Sequence, residues 1–344
     1  MQTNKSKIVL IGSGEFIEKT ILPALLINHH SFEIIAIINK SGALSSEINR
    51  LKNDIKVFTN ITDIAEDSFD TLFICVPQKA IVTVLSQLLK EKLIHKKVLL
   101  STPCIPLNQL KKITLLKKFS NIQAFEFVPL HRKYTIAKNI IDQGNIGQIK
   151  RIIVNHSGYL YHGIATLRHL ATNETISSIK SYSFGAYNEY QIKFRRRIFA
   201  SITEPKDYNA GSLMIAGNNG VISDYPLAIS NNYCIKCITD ENNIFSHFEV
   251  NGEIQPLTPI EQKATEVLPE ISFQNIQRQL FIIAAAELFE LINVNKNVIH
   301  HQCYETIYEH LIVRISKKIG LYYNPFSWLK ASFLKIILAK LTSQ

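Results

Sequence analysis

"KIVLIGSGEF", residues 7–16, determines how the first half of the chain folds. It opens with a short apolar run, which is typical of a parallel strand buried on both faces of a sheet. Gly12 and Gly14 follow at once, and a helical pattern then begins in which Ile17 and Ile21 occupy one face. The stretch therefore predicts a strand, a tight glycine turn and a helix in succession.

Strand and helix patterns alternate through the first part of the chain. Apolar runs predict strands over 33–39, 70–77 and 96–101, and amphipathic patterns predict helices over 80–93 and 106–119. Repeated β-α-β units with right-handed crossovers form a doubly wound parallel sheet. We therefore predict an α/β protein whose first domain, residues 1–127, is a Rossmann domain.

The pattern changes in the second part of the chain. A helix predicted over 133–142 ends at the glycine turn 144–147, and a long strand pattern follows. From about residue 180 to 256, strand-like runs alternate with polar turns, and Asn219-Gly220 is a strong hairpin motif. Residues 128–344 are therefore predicted to form an α+β domain with a large, mostly antiparallel sheet.

One long helix is predicted near the end of this second domain. Its pattern extends over 272–292, with Ser272 as the N-cap and an apolar stripe that includes Ile276, Leu280 and Leu288. We expect that stripe to cover one face of the large sheet.

Length and composition restrict the class of protein. The chain has 344 residues, 46% of them hydrophobic and 19% charged, which suits a folded protein of two domains. A short polar lead precedes the first strand without an apolar signal segment, so we expect a cytoplasmic protein with no transmembrane segment. Five cysteines indicate reduced thiols. Cys234 and Cys237 lack the further ligands of a zinc site, and no metal is expected.

A net charge of +10 leaves several kinds of partner open. The densest basic stretch has Lys193, Arg195 and Arg197 on one face of a predicted strand, which fits a solvated or subunit-facing surface or a phosphate-binding face. The basic, aromatic C-terminal segment 326–344 would form a helix that docks on the protein itself or associates with a membrane surface. The motifs described below favour a small-molecule substrate and no nucleic acid.

The turn at residues 12–16 has the chemistry of a dinucleotide site. Gly12 permits the tight turn, and Gly14 lets the backbone approach a pyrophosphate at the helix N-terminus. Ile17 replaces the third glycine of this fingerprint, which should set the helix further from the sheet without removing the anion site. An NAD site carries an acidic residue about 20 residues further on, but the second strand here ends in Asn39-Lys40-Ser41. The positive charge of Lys40 and the two small polar side chains beside it would suit the 2′-phosphate of NADP, so NADP is favoured and NAD is the alternative.

Four segments together resemble the glucose-fructose oxidoreductase and inositol dehydrogenase family of NAD(P)-dependent oxidoreductases. They are "IGSGEFIEKTILPALL" (11–26), "FICVPQKAIVTVLSQLL" (73–89), "FEFVPLHRKYTIAKNIIDQGNIGQIKRI" (125–152) and "YHGIATLRHL" (161–170). The resemblance covers most of residues 7–170 and implies a two-domain enzyme with its cofactor in the groove between the domains. With the glycine turn, it implies that the cofactor contacts Gly12, Ser13, Gly14, Glu15, Phe16, Asn39, Lys40, Ser41, Val76, Pro77, Gln78, Ser101 and Thr102.

Departures from the family pattern limit the mechanism that the resemblance implies. Family members usually carry Glu-Lys-Pro after the fifth strand, and the lysine helps bind the reacting group, whereas this chain has Ser101-Thr102-Pro103. The family's aspartate four residues before the active-site histidine is Gly158 here. Of the three polar groups that handle the proton, only His162 remains, and the sequence offers it no obvious orienting partner.

Three catalytic side chains are predicted, namely His162, Thr102 and Arg132. His162 can accept or donate a proton near neutral pH, while Thr102 occupies the lysine's place but cannot act as a base. Arg132, at the crossover between the domains, would bind a carboxylate or phosphate. We interpret its neighbours His131 and Lys133 as ordinary residues at the start of a helix.

These residues favour an NAD(P)-dependent reductase of a small polar or anionic biosynthetic intermediate, such as an imine, a carbonyl or a conjugated double bond. The alternative is a non-catalytic nucleotide-binding sensor or assembly subunit, because both the lysine and the aspartate are missing. A sugar or inositol dehydrogenase with relocated acid–base groups is the third hypothesis. The open face of the large sheet further predicts a homodimer or homotetramer.

Overall fold

The computed structural model describes most of the chain. The described residues are 5–42, 55–155, 160–185, 187–204, 211–270, 275–294, 303, 305–308, 311 and 329–330.

A parallel sheet forms the first part of the structure. Its strands are β1 (Ser6–Ile11), β2 (Phe32–Ile38), β3 (Lys56–Phe58), β4 (Thr71–Ile74), β5 (Lys97–Ser101) and β6 (Asn121–Phe125). They are hydrogen-bonded in the order β3-β2-β1-β4-β5-β6. Ile8, Val9 and Leu10 of the central strand β1 are completely buried, as expected for a strand covered on both faces. The predicted Rossmann-type sheet is confirmed.

The helix after the glycine turn has an irregular beginning. Residues Ile17–Ile21 form a π-helical segment, and the α-helix α1 (Leu22–Ile27) follows. The N–H of Leu22 bonds to the carbonyl of Ile17, so the wider turn begins at the position where Ile17 replaces a glycine. Pro23 comes next and has no N–H to donate, which fits the change of helical type.

The other helices of this sheet differ in regularity. Helix α2 (Ile81–Lys90) confirms a predicted helix. The predicted helix over 106–119 is instead a 3₁₀ segment, Leu107–Lys118, with non-helical dihedral angles at Gln109. Its buried residues Ile113 and Leu116 are three apart, which suits a helix of three residues per turn.

A mixed sheet of ten described strands forms the second part. Its members are β7 (Ile149–Asn155), β8 (Ile176–Ser183), β9 (Asn188–Phe194), β10 (Phe199–Glu204), β11 (Ser212–Gly217), β12 (Val221–Ser223), β13 (Asn232–Thr239), β14 (Phe245–Val250), β15 (Glu253–Ile254) and β16 (Leu329–Lys330). The order is β15-β14-β13-β12-β11-β7-β10-β9-β8-β16. The pairs β7–β10 and β12–β13 are parallel and the others antiparallel, so the predicted mostly antiparallel sheet is confirmed.

Sequence patterns predict the β11–β12 turn correctly and the β9–β10 turn incorrectly. Asn219-Gly220 connects the antiparallel strands β11 and β12, which confirms the predicted hairpin. The prediction for the basic stretch is wrong, because β9 ends at Phe194 and Arg195 and Arg197 lie in the turn before β10. Arg197 has a φ of 60°, which ends the strand geometry that would have placed three cations on one face.

Helices α3 (Arg132–Asp142), α4 (Leu160–Leu170), α5 (Pro259–Val267) and α6 (Ile276–Asn293) complete the described fold. Helix α4 packs closely on the large sheet, since a Cβ added at Gly163 would lie 3.0 Å from the Cδ1 of Ile202 in β10. Cys234 and Cys237 both lie in strand β13.

Helix α6 contacts both sheets. Asn275 caps it by accepting the N–H of Gln277, so the N-cap is not Ser272, which lies outside the described residues. The ring of Phe289 packs against Phe32, Phe73 and Phe125 of the parallel sheet at centroid distances of 5.4, 5.9 and 4.7 Å. The expectation that this helix covers the large sheet is therefore wrong for its C-terminal half.

The N-terminal half of α6 reaches the large sheet. The side chain of Gln279 accepts the N–H of Phe245 in β14 and donates to the carbonyl of Asn243. A helix that belongs to the second predicted domain thus also packs on the first, and the boundary between residues 127 and 128 remains a prediction.

Two remaining expectations concern membranes. Among the described residues, no helix combines the length and apolar character needed to cross a bilayer. Of the C-terminal segment, only Leu329–Lys330 is described, and it pairs as a strand with β8. The rest of that predicted helix lies outside the described residues.

Candidate active site

A cavity of about 400 Å³ opens at the carboxyl edge of the parallel sheet. Clefts at this edge are where ligands bind in open α/β sheets. The cavity is lined by Glu15, Phe16, Thr20, Cys75, Val76, Ser101, Thr102, Phe125, Phe127, Val128, His162, Arg278 and Phe281. It therefore collects residues from the ends of β4, β5 and β6, from the turn and helical segment after β1, and from helices α4 and α6.

The glycine turn forms one rim of the cavity. Gly12 has a φ of +116°, and a Cβ at this position would lie 2.0 Å from the carbonyl oxygen of Cys75, so only glycine fits there. Gly14 is different, because no atom lies within 4 Å of the position of its missing Cβ. The open space above Gly14 and the free N–H groups of a helix start are the features that a diphosphate needs.

The ends of β4 and β5 form the floor. Burial raises the pKa of the Cys75 thiol to about 11, although a hydrogen bond with Ser101 acts in the opposite direction, so this thiol is protonated at neutral pH. Val76 and Thr102 lie beside these two residues in the lining. No side chain of the floor is a base, which agrees with the missing lysine.

The residues that follow Val76 supply a further polar group. Pro77 is exposed, and Gln78 begins the short 3₁₀ turn that leads into α2. The Nε2 atom of Gln78 is buried and has no hydrogen-bond partner within the described part of the chain. A buried donor of this kind suits an acceptor on a bound ligand.

The end of β2 lies next to the glycine turn. The Oδ1 atom of Asn39 accepts hydrogen bonds from the Ser41 hydroxyl, at 3.0 Å, and from the N–H of Gly42, at 2.7 Å. Asn39 is buried and stabilises this turn, whereas Lys40 and Ser41 are exposed. Lys40 is therefore the charged group that this strand end presents to solvent.

His162 has a partner that the sequence analysis missed. Its Nδ1 atom lies 2.8 Å from both carboxylate oxygens of Glu126, which is almost completely buried after β6. An ionised carboxylate only accepts hydrogen bonds, so Nδ1 carries the proton of this contact. The neutral ring then has its lone pair on Nε2. The expectation that His162 lacks an orienting partner is wrong.

The structure does not bring Arg132 into this cavity. Its Nε atom lies 3.4 Å from Glu261 Oε1, and its Nη2 donates to the carbonyl of Pro256 at 2.9 Å. Because these acceptors hold the guanidinium, Arg132 borders a separate cavity of about 200 Å³ beside Glu287. The prediction that Arg132 faces the cleft is corrected accordingly.

The neighbours of Arg132 have structural roles, as interpreted from the sequence. The His131 ring caps helix α3 by accepting the N–H of Lys133, and it packs edge-on against Phe281. The Nζ atom of Lys133 lies 2.6 Å from Asp224 Oδ2.

Aromatic rings form the walls of the cavity. Phe16 and Phe127 are stacked at a centroid distance of 5.9 Å, and Phe281 meets Phe127 edge-on at the same distance. His162 lies beyond Phe127 at 6.4 Å. The space is therefore apolar at its sides, with polar groups at the floor and at His162.

Solved structures with this architecture are numerous. The scyllo-inositol dehydrogenase from Lactobacillus casei, bound to NAD(H) and scyllo-inositol, is 14% identical, covers 96% of this chain and 100% of its own, and has a TM-score of 0.62. Levoglucosan dehydrogenase with NADH and levoglucosan is 15% identical, with coverages of 95% and 100% and a TM-score of 0.65. The chain has the fold of these dehydrogenases.

A third similar structure is the WlbA dehydrogenase from Bordetella pertussis in complex with NADH and UDP-GlcNAcA. It is 13% identical, with coverages of 93% and 97% and a TM-score of 0.63. No family model matches the chain, and no curated protein sequence matches it. At these identities the likeness concerns the fold, and it confirms the two-domain architecture that the sequence resemblance implied.

The cavity unites many of the predicted residues. Glu15, Phe16, Val76, Ser101, Thr102 and His162 line it directly. The backbone of residues 12–14 leads into it from β1. Glu126, Arg278 and Phe281 were not predicted. The single acidic residue in the apolar run "FEFVP" could have indicated Glu126, whereas no pattern in the sequence indicates that α6 reaches this edge.

Proposed function

We propose that this chain is an NAD(P)-dependent oxidoreductase that reduces a small polar or anionic substrate. The observation that carries the proposal is the His162–Glu126 pair, which faces the same cavity as the glycine turn. Acid–base chemistry and a dinucleotide-type rim therefore share one space of about 400 Å³. The folds of dehydrogenases that bind NAD(H) support the same conclusion.

The residues present fit a dinucleotide. The backbone of residues 12–16 would hold the diphosphate, and Gly14 leaves the room that it needs. Val76, Gln78 and Ser101 would contact the rest of the cofactor, with Gln78 Nε2 as a ready donor. When bound, the nicotinamide supplies a hydride to the substrate.

His162 manages the proton in this proposal. The Glu126 carboxylate fixes the ring through Nδ1, so the proton moves at Nε2. In its protonated form, His162 donates from Nε2 to the oxygen or nitrogen of the reduced bond, and Glu126 stabilises the charge on the ring. Thr102 provides a hydroxyl in place of the family's lysine and orients the substrate without acting as a base.

NADP is the proposed cofactor, with NAD as the alternative. Lys40 is exposed at the end of β2, where a 2′-phosphate would lie, and the buried Asn39 carries no charge that would repel it. Replacing Lys40 with Ala should weaken NADPH binding about tenfold, the scale of one charge-assisted contact, and leave NADH binding unchanged. Equal affinities of the wild type for both nucleotides would refute the preference.

Turnover tests the proposed reaction directly. Purified protein is titrated with NADPH and NADH by nicotinamide fluorescence, and absorbance of the reduced nicotinamide is then followed with imines, keto sugars and conjugated carbonyls. Oxidation of the nicotinamide with one of these classes supports a reductase. A second assay offers oxidised nucleotide together with sugar alcohols. Tight nucleotide binding without turnover in either assay supports the non-catalytic sensor instead.

Self-association and a cytoplasmic location are two further parts of the proposal. The face of the large sheet opposite the helices carries the exposed Phe199, with Lys193 Nζ 5.4 Å from its ring centroid. We propose that this face joins subunits into a dimer or tetramer in the cytoplasm. Phe199→Asp should convert the assembly into monomers in multi-angle light scattering, and an unchanged mass would reject this face.

A further inference from the structure

Arg278 is a cation in a cavity whose walls are aromatic. Among the described residues that line the cavity, it is the only lysine or arginine, and Phe281 lines the same wall three residues later. Residues three apart share one face of a helix, so the charge and the ring face the cavity together. Arg132, the anion-binding residue that the sequence predicts, borders a different cavity.

The guanidinium of Arg278 retains hydrogen-bonding capacity. Its Nη2 atom lies 4.0 Å from Glu15 Oε1, which is too long for a hydrogen bond. Glu15 is already paired with Lys19, whose Nζ lies 2.8 Å from the same oxygen. An arginine carries five N–H donors in a fork that matches a carboxylate or phosphate. Within the described part of the chain, no residue accepts a hydrogen bond from the Arg278 guanidinium, so this fork can bind an anionic ligand.

The position of Arg278 in helix α6 favours an anion in two further ways. It lies in the first turn of an 18-residue helix, where the helix dipole is positive. The same helix is fixed to the parallel sheet through Phe289, so the guanidinium is carried by a rigid element. A site built on a packed helix positions a charged group better than one built on a loop.

We propose that Arg278 binds the oxyanion of the substrate, a carboxylate or a phosphate, while the aromatic walls contact a flat apolar part beside the reducible bond. This inference rests on the proposed function, because the ligand is the substrate of that reaction. The reducible bond then lies between Arg278 and His162, which line the same cavity. The substrate class is a small planar anion, and Arg278 determines the preference for the charged form.

Benzoate and benzamide are matched probes of this preference, since they share a ring and differ in charge. Each is titrated calorimetrically into protein saturated with oxidised dinucleotide. We expect benzoate to bind about tenfold more tightly than benzamide, as one charge-assisted pair provides. Arg278→Gln should abolish the difference and Arg278→Lys should retain part of it. Phenyl phosphate in place of benzoate distinguishes a phosphate site from a carboxylate site.

Arg195→Gln is the matched control, because Arg195 is exposed in the turn between β9 and β10 and should keep the full preference. Equal binding of the two probes by the wild type, or a preference that survives Arg278→Gln, overturns the proposal. If Arg278→Gln loses dinucleotide affinity but keeps the benzoate preference, Arg278 binds the cofactor diphosphate. That result also overturns the proposal. If no dinucleotide binds, the proposed function fails, and the same titrations without nucleotide still test Arg278.

Discussion

At the scale of single residues, substitutions in the His162–Glu126 pair should change the rate of turnover more than any other property of the protein. His162→Gln should lower the rate of nicotinamide oxidation by about 10²- to 10⁴-fold, because it removes the general acid. Glu126→Gln keeps an acceptor for Nδ1 but loses the charge that stabilises the protonated ring, so its rate should fall less. Both variants should bind dinucleotide like the wild type. His169→Gln, on the same helix but outside the cavity lining, is the control, and full activity of His162→Gln would refute the assignment.

Substitutions at two glycines of the same turn should affect different properties, fold stability at Gly12 and dinucleotide affinity at Gly14. Gly12→Ala would bring a Cβ within 2.0 Å of the Cys75 carbonyl oxygen at a φ of +116°, so it should destabilise the fold by more than about 3 kcal/mol. Gly14→Ala meets no atom within 4 Å and should melt like the wild type, yet lose about tenfold or more in dinucleotide affinity because the methyl occupies the diphosphate's space. Thermal melts and fluorescence titrations measure both effects. Unchanged affinity in Gly14→Ala would argue against a diphosphate at this turn.

At the scale of elements, the contact between helices α5 and α6 predicts a dependence of stability on pH. Burial raises the pKa of the Glu287 carboxyl, a hydrogen bond from Thr258 lowers it, and the nearby Glu261 raises it further. A carboxyl whose pKa is raised by folding contributes stability at acid pH, and that contribution is lost as pH rises through the raised value.

Glu287→Gln removes this ionisation and keeps an acceptor for the Thr258 hydroxyl, which lies 2.5 Å from Glu287 Oε1. The variant should therefore melt several degrees above the wild type at pH 8, and the difference should shrink towards pH 4. Glu266→Gln removes an exposed charge from α5 and serves as the control. A Glu287→Gln variant that melts below the wild type at pH 8 would contradict this account.

The sequence predicts elements better than it predicts their partners. Short uninterrupted apolar runs are sufficient to predict β1, β4 and β5, because a strand buried on both faces needs apolar side chains at successive positions. The stripe on α6 indicated a buried face but not the surface that covers it, and Phe289 proves to pack on the parallel sheet. The roles of Glu126 and Arg278 depend on which helices the tertiary fold brings to one edge, so the acidic residue in "FEFVP" could indicate a functional Glu126 but not its pairing with His162.

At the scale of the whole molecule, one cavity lies between the carboxyl edge of the parallel sheet, helix α4 and helix α6. The proposed function requires a dinucleotide to enter that cavity, and a crystal soaked with saturating NADPH tests this requirement most directly. We predict density for the diphosphate against the backbone of residues 12–16 and for the nicotinamide beside Thr102 and His162. An empty turn at saturation, or a nucleotide bound elsewhere on the protein, would contradict the account.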